Sequence, residues 1–114
     1  MSQAGKIASS RTGETRWLVE LSGEHDLSTS PAVRAELDRA LADGASVVVD
    51  LSQVSFIDSS VVGVLLNAHR SATGLLGQTL VVVAPPAGTP ARLLDFIGAQ
   101  SVLPVVESRK DALT

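Results

Sequence analysis

The sequence has no cysteine, three aromatic residues (Trp17, Phe56 and Phe96) and two lysines, Lys6 and Lys110. Without cysteine there are no disulfides and no thiolate metal sites, and a reducing, cytoplasmic setting is permitted. With so few aromatics the core has to be built from Val, Leu, Ile and Ala. A platform that stacks single-stranded bases is not expected. Nine basic residues, adjacent only at Arg109-Lys110, in a chain of net charge −3 would neutralise few phosphates, so no direct nucleic-acid contact is expected. Residues 1–16 carry no apolar core of a signal peptide, and no apolar run reaches the length of a membrane span, so no direct membrane contact is expected. What is present in quantity is aliphatic: 45% of the 114 residues are hydrophobic and 18% are charged. These values predict one compact domain over 1–114, with 1–4 and 114 as loose ends.

Alternation in "TRWLVELSG" (15–23) sets Trp17, Val19 and Leu21 against Arg16, Leu18 and Glu20, a strand with one buried face. "GKIASSR" (5–11) fits an antiparallel edge strand joined to it at Thr12-Gly13. From Pro31 the period becomes helical, with Val33, Leu37, Ala40 and Leu41 on one stripe, Ser30 as cap and Gly44 as stop. "ASVVVDLS" (45–52) is a continuous apolar run, as in a parallel strand covered on both faces. A second helix is expected from Asp58 to about Gly74, with Val62, Leu65, Leu66 and His69 on its apolar side. "QTLVVVAPP" (78–86) predicts a strand, "PARLLDFIGA" (90–99) a helix, "SVLPVVES" (101–108) a short strand and "ESRKDALT" a terminal helix. The alternation predicts an α/β domain with a mostly parallel sheet of four to five strands and about four helices. Asp26 and Asp58 each follow a strand, at the sheet end where function gathers in such folds.

Within "VSFIDSSVVGVLL" (54–66), Asp58, Ser59 and Ser60 interrupt two apolar runs. An aspartate directly before a helix accepts bonds from the first-turn amides, and two serines in that turn are ordinary. Ser59 also has no Lys or Arg within ten residues on either side. A phosphate there would add roughly two negative charges without an internal partner, which suits breaking an interface better than refolding the domain.

Enzymatic readings do poorly. Ser59 and His69 stand about 15 Å apart along a helix and cannot form a catalytic pair. G-x-S-x-G, G-x-G-x-x-G and G-x-x-x-x-G-K are all absent. Asp26, Asp50 and Asp58 would need a strand-end lysine to make a receiver-like magnesium pocket, and "VVVAPPAG" has none. His69 reads as a packing residue and His25 as a loop residue. Two distant histidines make no metal site. No catalytic residue, cofactor or metal is expected.

"GEHDLSTSPAVRAEL" (23–37), "VVVDLSQVSFIDSSVVGVLL" (47–66) and "ARLLDFIGAQSVLPVVESRKDAL" (91–113) together resemble the anti-sigma factor antagonists, the free-standing bacterial STAS domains. The likeness runs over roughly residues 5–113, and the Asp-Ser-Ser corner after a Phe-Ile pair is its most specific part. It implies a STAS-type sheet with helices and a partner switch. The unphosphorylated antagonist binds an anti-sigma factor, itself a serine kinase, and frees a sigma factor. Phosphorylation ends that complex and a PP2C-type phosphatase restores it. Carried over by motif, Ser59 is the phosphoacceptor, Asp58 the helix cap and kinase-contact carboxylate, and Asp26 the acid of the first recognition loop. Ser60, Val61 and Val62 complete the implied partner-binding set. Relatives carry glycine after the two serines, and Val61 here adds bulk where a partner would approach. His25, in place of an apolar loop residue, reads as a surface substitution. One alternative is a STAS docking subunit of a stress-signalling or lipid-transport complex without a phospho-switch, and another is an enzyme or small-molecule sensor using the strand-end pocket near Asp26 and Asp58. A homodimer through an apolar face of the first or second helix is also left open.

Overall fold

The computed structural model describes residues 4–43, 46–75 and 77–113. The expected helix stop at Gly44, the strand start at Ala45 and the expected ends at 1–3 and 114 lie outside them. The chain runs β1 (Lys6–Arg11), β2 (Arg16–His25), α1 (Ser30–Ala42), β3 (Ser46–Ile57), α2 (Ser59–Arg70), β4 (Leu80–Val83), α3 (Thr89–Ile97), β5 (Val105–Val106) and α4 (Arg109–Leu113). A π-helical turn at Ser71–Leu75 extends α2, and a 3₁₀ turn at Ala99–Ser101 follows α3.

The five strands lie in chain order, with β1 antiparallel to β2 and every other pair parallel. Right-handed crossovers that always step in one direction must all pass over the same face. The packing follows: Val33, Leu37, Ala40 and Leu41 of α1, Val61, Val62 and Leu65 of α2 and Ala91 and Leu94 of α3 share one core with the sheet. Each fully buried aliphatic side chain there contributes about 1.5–3 kcal/mol. Aromatics are not needed to fill the interior: its largest fully buried side chains are leucines and valines, with His25 among them.

The opposite face is covered by α4. Leu18, Val48 and Val83 form a second cluster there, with Val106, Ala112 and Leu113 packed on it. Leu18, expected on the open side with Arg16 and Glu20, is therefore buried, because the terminal helix folds back over it. Arg109 fixes that helix. Its Nε and Nη2 donate to Asp50 Oδ2 at 3.0 and 2.7 Å, and Nη2 reaches Glu20 Oε2 at 2.7 Å. Arg16 donates to the Leu113 carbonyl at the other end of α4.

Two boundaries differ from expectation. β3 runs on to Ile57 rather than stopping near residue 52, because β2 continues beside it. The α1 N-cap is Thr29, not Ser30, which is buried inside the helix. Thr29 makes no side-chain cap bond. The Asp26 carbonyl instead accepts the amides of Thr29 and Ser30, at 3.1 and 3.0 Å.

Candidate functional site

The site is built where β2 and β3 end. The parallel register pairs His25 with Ile57, so Asp26 and Asp58 follow side by side on strands about 5 Å apart. The roughly thirty residues of intervening chain matter less here than this single rung of the ladder.

Asp58 has extended backbone, φ −113° and ψ 179°, and the chain turns into α2 directly after it. Its Oδ1 accepts the Ser60 amide at 3.0 Å, the Val61 amide at 3.3 Å and the Ser60 hydroxyl. Two of the first-turn amides that a phosphate would seek, those of Ser60 and Val61, are therefore already taken by a carboxylate. Ser60 is half-buried and its hydroxyl is committed to Asp58. Ser59 is exposed, and its hydroxyl has no partner among the described residues.

Asp26 opens the β2–α1 loop. Its Oδ1 accepts the Ser28 amide at 2.9 Å and the Ser28 hydroxyl. The Ser28 hydroxyl and then its amide hold the Asp26 carboxyl below the usual carboxylate range. The same device recurs: Asp50 accepts from the Ser52 amide and hydroxyl as Asp58 does from Ser60. Each is an Asx turn in an Asp-x-Ser run, at 26–28, 50–52 and 58–60. Asp50 plays a structural part. It is buried within β3 and turned to Arg109, so it does not join Asp26 and Asp58 in an acidic pocket. Among the described residues no group of three metal-ligating side chains forms.

Two large apolar residues frame the carboxylates. Leu27 is 72% exposed beside Asp26, and Phe56 is 45% exposed two residues before Asp58. Neither is among the partner-binding residues expected from sequence. Leu27 sits in a loop without periodicity, and Phe56 falls within an apolar run that reads as core.

Three expectations need correction. Val61 and Val62 are 0% and 1% exposed, so their side chains belong to the core and cannot meet a partner at the surface. The bulk expected from Val61 is directed inward for the same reason. His25 is not a loop surface residue: it ends β2 and is fully buried. His69 is half-buried on α2, as its place on the apolar stripe predicts, and its Nδ1 has no partner among the described residues.

Residues 8–105 match the family model described as Mlab, STAS domain. An anti-sigma F factor antagonist of Paenibacillus polymyxa is 35% identical over 100 residues, covering 85% of this chain and 83% of that protein. Among solved structures, an anti-sigma factor antagonist from Mycobacterium paratuberculosis superposes with a TM-score of 0.86 at 26% identity, covering 99% of this chain and 96% of that one. The Bacillus cell fate determinant SpoIIAA in its phosphorylated form shares the fold, with a TM-score of 0.71 at 21% identity over 95% of this chain and 96% of that one.

Proposed function

Since this chain belongs to the STAS domain family, in company with anti-sigma factor antagonists, we propose that it is itself an anti-sigma factor antagonist governed by phosphorylation of Ser59. The observation that carries the reading is the division of labour between adjacent serines: Ser60 is spent on the Asp58 cap, whereas Ser59 is exposed and its hydroxyl has no partner among the described residues. In this reading the unphosphorylated face, made of Asp26, Leu27, Phe56, Asp58 and Ser59, docks on an anti-sigma factor and so releases a sigma factor. The anti-sigma factor is a serine kinase, and a PP2C-type phosphatase resets the switch in the cytoplasm. The protein is then a substrate and a ligand, and performs no catalysis of its own.

Phosphate at Ser59 meets two neighbouring carboxylates and a helix terminus whose Ser60 and Val61 amides are already bonded to Asp58. It has nothing to gain within the domain. Its cost falls on the complex, where an unpaired charge in a desolvated interface is worth about 2–5 kcal/mol, or at least about thirtyfold in affinity. Intact mass and peptide mapping of the protein from its own cells, beside Ser59→Ala, tests this. A phosphate on Ser59 that vanishes in the variant, with Ser59→Asp losing the partner the wild type holds, is the expected result. An unmodified Ser59 under every growth condition, in a complex indifferent to ATP, would instead identify a permanently docked subunit.

A further inference from the structure

His25 has no part in the switch just described, yet it is completely enclosed and hydrogen-bonded at both ring nitrogens. Nε2 lies 3.0 Å from the Ser22 carbonyl and 3.3 Å from the Lys6 carbonyl. Carbonyls only accept, so Nε2 carries the ring proton. Nδ1 lies 3.1 Å from Thr29 Oγ1 and, in the neutral ring, has only a lone pair to offer. The Thr29 hydroxyl must therefore donate to it.

That choice reaches the loop. The same Thr29 oxygen accepts the Asp26 amide at 3.1 Å. Its one proton could otherwise turn to the Asp26 carbonyl, 3.2 Å away, but that carbonyl already accepts two amides, from Thr29 and Ser30. The ring thus fixes the hydroxyl, and the hydroxyl fixes the first amide of the segment that presents Asp26 and Leu27. Surrounding backbone holds the ring in turn. A Cβ on Gly5 would stand 2.8 Å from His25 Cε1 and 2.3 Å from the Glu24 carbonyl oxygen, so the chain leading into β1 closes directly over it. Gly23, at φ 77°, supplies the left-handed bend beside a register shift in the β2–β3 ladder.

We propose that His25 is a positioning residue for the Asp26–Ser28 loop: protonated on Nε2, it orients the Thr29 hydroxyl and through it the Asp26 backbone. The role rests on the reading of that loop as part of the partner face. Nitrogen-15 NMR of the isolated domain tests it. At neutral pH the His25 ring is expected in the Nε2–H form, with Nδ1 showing the signature of an accepted hydrogen bond. Thr29→Val should move Nδ1 to its unbonded position and speed solvent exchange of the Asp26 amide by roughly 3- to 10-fold, the equivalent of one ordinary hydrogen bond. Thr29→Ser should restore both signals. An Nδ1–H ring in the wild type, or a serine variant that behaves like the valine variant, would overturn the assignment. Every readout comes from the domain alone, so this test and the Ser59 test fail independently.

Discussion

Replacing Asp58 separates its two duties, because asparagine keeps the accepting oxygen and removes the charge. In the structure one carboxylate oxygen serves two half-buried amides and a hydroxyl. Loss of an N-cap side chain costs about 0.5–2 kcal/mol, and two orphaned amides put Asp58→Ala in the upper half of that range. At roughly 4–8 °C per kcal/mol in a domain slightly smaller than this one, the melting temperature should drop by about 5–10 °C. Asp58→Asn forfeits only the charge–dipole attraction at the helix end, about 0.3–1 kcal/mol when exposed. Thermal melts and urea titrations of the three proteins should therefore rank wild type, Asn, Ala, with Asn close to wild type. Phosphorylation of Ser59 and retention of the partner should rank differently: Asn, though folded, should lose both if the carboxylate is what the partner reads. An Asn variant as unstable as Ala would refute the cap as the source of stability. A stable Asn variant with full partner affinity would refute the carboxylate as a recognition element.

Arg109→Ala leaves Asp50 buried with only Ser52 for company, and should cost about 2–3 kcal/mol in urea unfolding, somewhat less than a fully enclosed pair because the guanidinium is half exposed. Glu20→Ala, at the exposed arm of the same arginine, should cost less than about 1 kcal/mol. Burial pushes the Asp50 carboxyl up, but Ser52 and Arg109 together outweigh it and hold the group below its ordinary value. The unfolded chain then binds the proton more readily, so the stability Asp50 supplies is complete above about pH 4 and disappears as pH falls through its depressed folded value. The gap between wild type and Arg109→Ala should close on acidification; a gap that is constant with pH would contradict the pairing. Leu27→Ala and Phe56→Ala should leave the melting temperature nearly unchanged, being exposed, yet each should weaken the partner complex by about tenfold if they anchor it, as titration calorimetry would read.

Periodicity located the elements well where packing is one-sided. The stripe Val33, Leu37, Ala40, Leu41 is buried throughout, and the α3 pattern ends at Gly98, whose φ of 81° is the left-handed cap that glycine favours. It failed where distant chain decides. Ser52, Gln53 and Ser55 hid the second half of β3, which continues because β2 lies alongside it, not because its own residues ask to be a strand. Leu18 belongs to a face that only α4 covers, and the clamp for α4 comes from Arg109, 59 residues beyond Asp50. His25 looked like a loop residue because nothing local announces that Gly5 closes over it. Ser30 reads as the cap from sequence, yet the cap position falls to Thr29, whose hydroxyl is engaged by a ring four residues earlier rather than by its own helix. The recurrent Asp-x-Ser run was legible in principle: three occurrences give three identical Asx turns, one in a strand and two at the site. The sequence likeness had directed attention to Val61 at the surface, and helical geometry places it in the core instead.

The topology also bears on what kind of ligand the site fits. In doubly wound sheets the small-molecule crevice opens where successive helices leave for opposite faces. Here strand order equals chain order and α1, α2 and α3 stay on one side, so no such parting occurs between β2, β3 and β4. What the strand ends offer is an exposed rim: Asp26 and Asp58 adjacent by register, Leu27 and Phe56 beside them, and Ser59 outermost on the first turn of a helix. Apolar anchors flanked by charges on an exposed surface match the makeup of a protein interface. Under the proposed switch, a phosphate on Ser59 would meet this rim directly, with the corner beneath it tied to the sheet by β3 and to the core by Val61 and Val62. In that switch, the burial of Ile57, Val61 and Val62 beneath the corner would direct the cost of a phosphate outward, onto the complex.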